Sequence, residues 1–416
     1  MKKIIQLIVI LGCIIPLQKG MAQTTNVGMV YISPNTIMST LGALDNKATG
    51  DLVNDGDLYV YSHYNNDGMV TFLGNTGITR MRGLFGFQNI SGSVPMQWYH
   101  AEFNNSLIQP AFHLSNEVGV SGQANFFKGI VDDDNYGGLL VFENTASHIN
   151  VDDESHVDGY VRKNGNDAFK FPIGDKKQYR YAGISAPDNT TDAFTAKYFF
   201  DNSNPLYSHT LKAGVIGAID DTEYWTVDKT AANSDVFLTL SWDTDTTPPF
   251  IYAAPYDEIH IVRWDASKNL WVDEGGVADA STKEVTTIIN PLLGYGVFTL
   301  ARVKTDLILP CNGRGVVVYN AVSPNADGVN DYFNIDGIDK CKNNTVSIYN
   351  RWGVKVYETT AYNTNGNVFK GISEGRVTID KNEKLPVGTY FYVINFLDDN
   401  GNKNVVKSGY LYINLD

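Results

Sequence analysis

Short apolar runs separated by turns rich in Asn, Asp and Gly recur along most of this chain. Residues 54–62 read NDGDLYVYS and residues 65–74 read NNDGMVTFLG, with the two Asn-Asp-Gly triplets 12 residues apart. Asp-Gly and Asn-Gly favour tight turns because they accept the positive φ angles that such turns need. We find no apolar period of 3.6 residues sustained over about 11 residues, which is the pattern of a surface helix. The chain is therefore predicted to be all-β.

Three β-rich regions and one linker are expected. Residues 23–165 repeat strand, glycine turn and strand at a spacing that fits either the stacked coils of a β-helix or a meander. Residues 166–303 contain about seven short strands with alternating apolar residues, which favours a β-sandwich. Residues 304–315 hold Pro and Gly and are predicted to be a linker. Residues 316–416 contain about six or seven strands and are predicted to form an Ig-like sandwich.

The first 22 residues are predicted to be a signal peptide. Two lysines precede an apolar core at 4–17, which is shorter than the roughly 20 residues that span a bilayer as a helix. Small residues end the segment, so we expect the mature chain to begin at Gln23 and to be exported. An alternative is a lipoprotein signal with lipidation at Cys13, because the preceding Ile-Leu-Gly resembles a lipobox.

The charge balance argues against two classes of partner. The chain has 46 acidic and 32 basic residues, which gives a formal net charge of −14. An acidic surface repels nucleic acid and anionic lipid. We therefore expect no nucleic-acid partner and an extracellular setting.

Cys311 and Cys341 are the two cysteines of the expected mature chain. An even pair in an exported protein favours a disulfide. Such a bond would tie the linker to the first strands of the last region. The alternative is two free, buried thiols.

Four of the six tryptophans fall in the middle region, at positions 225, 242, 264 and 271. Aromatic side chains on a β-sandwich can stack on sugar rings, which makes a secreted carbohydrate-binding or carbohydrate-active protein the alternative function. These tryptophans lie inside predicted strands, however, and this position favours a role in the core.

No motif of a known catalytic class stands out, and we expect the chain not to be an enzyme. HExxH, P-loop and GxGxxG patterns are absent from the sequence. The string GISEG at 371–375 matches GxSxG by its letters, but it lacks the context of a catalytic serine. His148 and His156 flank the acidic run 152–154, where either a divalent-metal cluster or a solvated turn could form. Carboxylate pairs suited to glycoside hydrolysis meet only in the folded chain, so the sequence leaves them open.

The stretch SPNADGVNDYF at 323–333 spaces its oxygen-bearing side chains like the first half of a calcium loop. Asn325, Asp327 and Asp331 are the candidate Ca²⁺ ligands. Ser323 and Asn334 stand where such a loop usually has an acid and a bidentate Glu. Asx residues also build turns without a metal, so this reading stays open beside the calcium site.

Four ordered strings near the C-terminus resemble a known family. They are VYNAVSPNADGVNDYF, IYNRWGVKVYE, LPVGTYFYV and KSGYLYIN, and they fall within residues 316–416. Together they resemble the gliding-motility-associated C-terminal domain of Bacteroidetes surface proteins, the type B sorting domain of the type IX secretion system. Departures are small, with Ala326 in place of a common Gly and Phe369 in place of the usual Trp.

The resemblance implies export by the type IX secretion translocon and display at the cell surface. It also implies attachment to the outer membrane through a PorP/SprF-like β-barrel protein, as part of a larger surface adhesin complex. We therefore expect an accessory or anchoring component of a gliding or adhesion complex. The strand at 409–414 is our candidate for an edge that docks a partner. The motif residues expected to serve sorting or partner recognition are Asn325, Asp327, Gly328, Asn330, Asp331, Arg351, Trp352, Gly353, Gly388, Tyr390, Lys407, Gly409 and Tyr410.

Overall fold

The computed structural model describes residues 23–213, 216–287, 292, 294–303, 310–311, 314–319, 321–325, 330–373, 384–397 and 404–414. The predicted signal peptide and most of the predicted linker lie outside these residues. Strands dominate the described part, so the all-β prediction is confirmed. The helical elements are α1 (Pro249–Tyr252) and two 3₁₀ turns at Tyr256–Glu258 and Ile338–Lys340. No helix of the described chain is long and apolar enough to cross a membrane.

Residues 23–175 form a solenoid of short strands. In chain order its strands are β1 (Thr24–Asn26), β2 (Met29–Ile32), β3 (Ile37–Thr40), β4 (Leu44–Asn46), β5 (Asp51–Asn54), β6 (Asp57–Val60), β7 (Tyr64–Asn66), β8 (Met69–Thr71), β9 (Ile78–Arg82), β10 (Gln88–Gly92), β11 (Met96–Trp98), β12 (His100–Asn104), β13 (Phe112–Leu114), β14 (Glu117–Val120), β15 (Gln123–Lys128), β16 (Val131–Asp132), β17 (Leu139–Phe142), β18 (Ser147–Ile149), β19 (Val157–Asp158), β20 (Val161–Asn164), β21 (Phe169–Lys170) and β22 (Ile173–Asp175).

Strands that follow one another along the chain lie on different faces, and each except β21 pairs in parallel with the strand one coil away. β21 instead pairs antiparallel with a later strand of the middle region. One face runs β1-β4-β7-β10-β13-β16-β19-β22, and another runs β3-β6-β9-β12-β15-β18. The remaining face is formed by β2-β5-β8 and β11-β14-β17-β20. A meander would pair successive strands antiparallel. The structure therefore selects the β-helix from the two predicted alternatives.

A column of buried asparagines lines one corner of the first coils. Asn26 Nδ2 donates to Asn46 Oδ1 over 2.8 Å, and Asn46 Nδ2 donates to Asn66 Oδ1 over 2.7 Å, each pair 20 residues apart. The amide oxygens of Asn26 and Asn66 also accept the backbone N–H groups of Gly28 and Gly68. A Cβ at Gly68 would lie 2.3 Å from a backbone oxygen, so only glycine fits where the coils approach each other.

The middle region continues the solenoid's sheet with antiparallel strands. Its strands are β23 (Gln178–Tyr179), β24 (Ala182–Ile184), β25 (Ala193–Phe199), β26 (Ile216–Ile219), β27 (Tyr224–Ala231), β28 (Leu238–Ser241), β29 (Ile259–Asp265), β30 (Leu270–Asp273), β31 (Val277–Asp279), β32 (Glu284–Thr286) and β33 (Gly296–Val303).

β25 pairs antiparallel with β20, the last strand of a solenoid face, and the sheet goes on through β27, β33, β29 and β30. A second sheet runs β21-β24-β28-β32-β31. Residues from both sheets and from the solenoid share one hydrophobic core. The boundary that the sequence places between residues 165 and 166 therefore falls inside a continuous sheet and a continuous core. The predicted sandwich of this region stays a prediction.

The tryptophans of the middle region fill the core. Trp225, Trp242 and Trp271 are buried, and Trp264 is half-buried with its ring 5.7 Å from that of Trp271. Trp225 Nε1 donates to the carbonyl of Arg180 over 3.0 Å. A buried ring has no free face on which a sugar could stack. Trp225, Trp242 and Trp271 are therefore core residues, as their position inside predicted strands indicated.

The C-terminal region has its own core and a five-stranded sheet. Its strands are β34 (Pro310–Cys311), β35 (Arg314–Gly315), β36 (Val317–Val318), β37 (Ala321–Val322), β38 (Ile335–Asp336), β39 (Thr345–Tyr349), β40 (Lys355–Thr360), β41 (Gly388–Leu397) and β42 (Asn404–Ile413).

The sheet order is β37-β42-β41-β39-β40. β39 and β40 form the hairpin that the sequence predicts on either side of Asn350-Arg351-Trp352-Gly353. β36 pairs separately with β38. The expected turn at Asp399-Asn400-Gly401 lies outside the described residues, and the Ig-like sandwich stays a prediction.

Candidate functional site

Two of the four C-terminal strings meet at one surface cleft. The turn at 350–352 and the segment at 385–390 line a cavity of about 370 Å³. Four of the residues predicted for partner recognition lie in or beside this cleft: Arg351, Trp352, Gly388 and Tyr390. The structure thus brings together residues that are more than 30 positions apart in the sequence.

The turn is fixed by the side chain of its first residue. Asn350 Oδ1 accepts the backbone N–H of Trp352 over 2.9 Å and that of Val354 over 3.0 Å. Gly353 has φ +73°, which a residue with a Cβ rarely adopts. The side chain of Asn350 and the freedom of Gly353 therefore account for the NRWG string in physical terms.

Arg351 and Trp352 project from this rigid turn. The Trp352 side chain is 49% exposed, and the Arg351 guanidinium carbon lies 5.3 Å from the centre of the Trp352 ring. An exposed indole beside a guanidinium is the pair of residue types most enriched at the energetic centres of protein interfaces. The turn therefore presents a surface suited to a protein partner.

The other wall of the cleft is rigid as well. Tyr390 is buried, and its hydroxyl donates to the carbonyl of Pro386 over 3.0 Å. Burial raises the pKa of Tyr390 above its ordinary value, so the hydroxyl stays a donor at neutral pH. Val387 is exposed at the cleft rim. The wall offers an apolar contact next to the aromatic turn.

The fourth string forms β42 and lies on another part of the domain. Gly409 packs against Tyr392, where a Cβ would lie 2.3 Å from the phenol oxygen. Tyr410 is exposed, and Lys407 is half-buried. The close approach explains the glycine, and the exposed Tyr410 leaves a second surface that a partner could contact.

The expected docking edge at 409–414 needs correction. β42 pairs with β41 on one side, and its end pairs with β37 on the other, where Ala321 faces Tyr412 and Val322 faces Ile413. The last two residues of the strand are therefore interior to the sheet. Sequence reasoning missed this because β37 comes from a short segment some 90 residues earlier in the chain.

The proposed calcium loop is only partly described. Asn325 is exposed, and Asn330 is exposed with φ 54°. Asp331 is half-buried, whereas Asp327 and Gly328 lie outside the described residues. The backbone N–H of Ser323 donates to the carbonyl of Asn330 over 2.7 Å, which closes the loop. The calcium site stays a prediction.

The two histidines beside the acidic run do not converge on a shared site. His148 lies among aromatic rings, with its ring centre 5.4 Å from that of Phe169. His156 is fully buried, and its Nδ1 lies 3.0 Å from the carbonyl of Asp152. Burial lowers the pKa of both imidazoles. Across the part of the chain that the structure describes, no three His, Cys, Asp or Glu side chains are grouped to hold a metal.

Cys341 is buried and takes part in a disulfide. The side chain of Cys311 is outside the described part of the structure. The pairing of these two cysteines stays a prediction.

A contact that the sequence analysis missed joins the C-terminal region to the middle region. Phe391 and Val393 of β41 are buried with Val277 of β31, and Tyr349 packs against them. Tyr390, Tyr392 and Ile394, on the opposite face of β41, enter the region's own core. Five consecutive apolar residues at 390–394 are the available sequence signal, because a strand covered on both faces loses its alternation.

Comparison with known proteins addresses only the C-terminal region. Residues 316–413 match the family described as the CHU_C Type IX secretion signal domain, over about a quarter of the chain. No curated protein matches the chain. The protein therefore carries a type IX secretion signal domain of the CHU_C family at residues 316–413, and it is exported by that system to the cell surface or the extracellular space.

Proposed function

We propose that this protein is a non-enzymatic structural component of a gliding or adhesion complex, held at the outer membrane by its C-terminal domain. The observation that carries the proposal is the exposed Arg351–Trp352 turn beside the apolar wall at 385–390. An export tag that also anchors needs a rigid patch that survives transport in the folded state. A PorP/SprF-like β-barrel protein is the proposed partner for this patch.

The body of the protein supports a structural role. A β-helix with a continuous core offers long, regular outer faces that suit extended contact with a partner. Burial of Trp225, Trp242 and Trp271 removes three of the four tryptophans that motivated the carbohydrate-binding alternative, and the fourth, Trp264, is half-buried. We therefore prefer the structural role to a glycan-directed one.

Affinity purification from the outer membrane tests the anchoring role. A tag inserted in the exposed loop around Leu206 leaves the first coil and the C-terminal domain unchanged. We expect the full chain to co-purify with an outer-membrane β-barrel protein of the PorP/SprF type, identified by mass spectrometry. Trp352→Ala should reduce recovery of the barrel about tenfold or more, because a central aromatic contact is worth roughly 2 kcal/mol.

The control is Val406→Ala, since Val406 is similarly exposed on the same domain but lies outside the cleft. It should leave recovery unchanged. Purification of the wild-type chain from the outer membrane without any β-barrel protein would contradict the anchoring role. If Trp352→Ala recovers as much of the β-barrel protein as the wild type does, the cleft is not the surface that contacts the barrel.

A further inference from the structure

The first coil leaves one end of the solenoid uncovered. β1 pairs only with β4, β2 only with β5 and β3 only with β6, as far as residues 23–213 and the other described segments show. Three strands therefore present unpaired backbone N–H and C=O groups in the same direction. Native proteins usually block such edges with charged residues, proline or a covering segment.

The core itself is open at this end. Val30 and Met38 face the interior but are only half-buried, whereas their partners one coil on, Leu52 and Leu58, are completely buried. Among the residues that the structure describes, no coil covers Val30 and Met38 on the side away from β5 and β6. Terminal repeats of solenoids ordinarily need a polar outer surface to stay soluble.

This end is instead uncharged and apolar. Residues 23–44 contain no Asp, Glu, Lys or Arg, although 19% of the whole chain is charged. Met29 and Ile37, on β2 and β3, are 72% and 69% exposed. Other exposed large apolar side chains of the same coil are Val27, Tyr31 and Leu41. The surface combines open strand edges with an exposed apolar patch, and both are features of an interface.

We propose that the open end is the interface of a homodimer, covered by the same end of a second copy of this chain. A two-fold axis that brings two first coils face to face reverses the direction of the strands, so the edges pair as antiparallel ladders. Such pairing satisfies both sets of backbone groups and covers Val30 and Met38 on both copies.

The charge distribution favours contact between two copies at this end over contact elsewhere on their surfaces. The chain is strongly acidic, so two copies repel each other over most of their surfaces. Residues 23–44 form a surface without that repulsion. Of its 22 residues, 17 are exposed or half-buried, which approaches the roughly 20–30 residues that each side contributes to a stable protein interface.

Sedimentation equilibrium of the mature chain, beginning at Gln23, tests the proposal. We expect a mass of twice the monomer at micromolar concentrations. Met29→Lys combined with Ile37→Lys should weaken the dimer at least tenfold, because four like charges would meet at the interface. Both side chains point outward and are exposed, so the substitutions leave the core intact.

The matched control is Phe127→Lys combined with Leu206→Lys, which adds the same charges at exposed apolar positions away from the first coil. It should dimerise like the wild type. Hydrogen exchange at the amides of 24–40 should slow as the wild-type concentration rises. A wild-type monomer at these concentrations would overturn the proposal. A dimer that the lysine pair leaves unchanged would overturn it as well.

Discussion

The carboxyl group of Asp158 has a pKa well above its ordinary value. It lies on β19 in register with Asp132 of the neighbouring coil. Burial, followed by the charges of Asp175, Asp132 and Asp134, raises the pKa of Asp158 from its ordinary 3.8 to about 7, and Lys197 offsets part of this rise. The folded protein therefore binds this proton more tightly than the unfolded chain does.

The free energy of unfolding should consequently fall as pH rises from about 4 to about 7. Asp158→Asn should remove this part of the pH dependence and stabilise the protein at pH 8 by about 1–2 kcal/mol, a figure reduced for the partial exposure of the group. Urea unfolding at several pH values measures both effects. The exposed Asp188→Asn is the control and should change neither. An unchanged slope in Asp158→Asn would contradict the assignment.

Some residue roles could be read from the sequence and others could not. Gly353 and Asn350 were visible as turn formers because their conformational preferences are local. The contact between Phe391 and Val277 was hidden, since it depends on how two separately folded sheets meet. The acidic neighbours of Asp158 were also hidden, because residues 132, 158 and 175 come together only through the stacking of coils.

At the scale of strands and corners, the buried asparagine column links successive coils. Its hydrogen bonds join residues that are 20 positions apart in the chain. Asn46 is completely buried, and its Nδ2 also donates to the carbonyl of Met69 over 2.9 Å. Asn46→Ala should cost about 3 kcal/mol, since it leaves the amides of Asn26 and Asn66 and this carbonyl without their partner in the dry interior.

Hydrogen exchange at the amides of 44–70, together with the urea midpoint, measures the loss. Asn89→Ala is the matched control, because Asn89 lies on the same face of the solenoid with its side chain half-buried at the outer surface. It should change stability by less than about 0.5 kcal/mol. A neutral Asn46→Ala would mean that the column does not stabilise the coils.

The sequence pattern predicted strands well and the coil repeat poorly. The two Asn-Asp-Gly triplets, 12 residues apart, mark different corners, since Asn54 ends β5 and Asn66 ends β7. The true repeat is 20 residues in the first coils and becomes longer later, where Tyr64 pairs with Ile90. Insertions at the corners change the repeat length without changing the strands, which conceals the period from a reading of the sequence.

For the whole molecule, the export signal and the all-β, solenoid-like character of the body were predictable, and the way the solenoid joins the middle region was not. Four ordered strings identified the C-terminal domain because its turns and close approaches fix particular residues. The solenoid and middle region share a core, although their sequence patterns differ at residue 165. Parallel coils and antiparallel strands have different periodicities, and a change in periodicity does not by itself end a sheet.

Residues 316–413 form the signal that takes this body out of the cell. Surface labelling of whole cells tests this role, with the full chain compared to a variant that ends at residue 315. We predict that the full chain is labelled and that the truncated chain is retained in the periplasm, detected only after the outer membrane is opened. Equal surface labelling of the truncated chain would contradict the account.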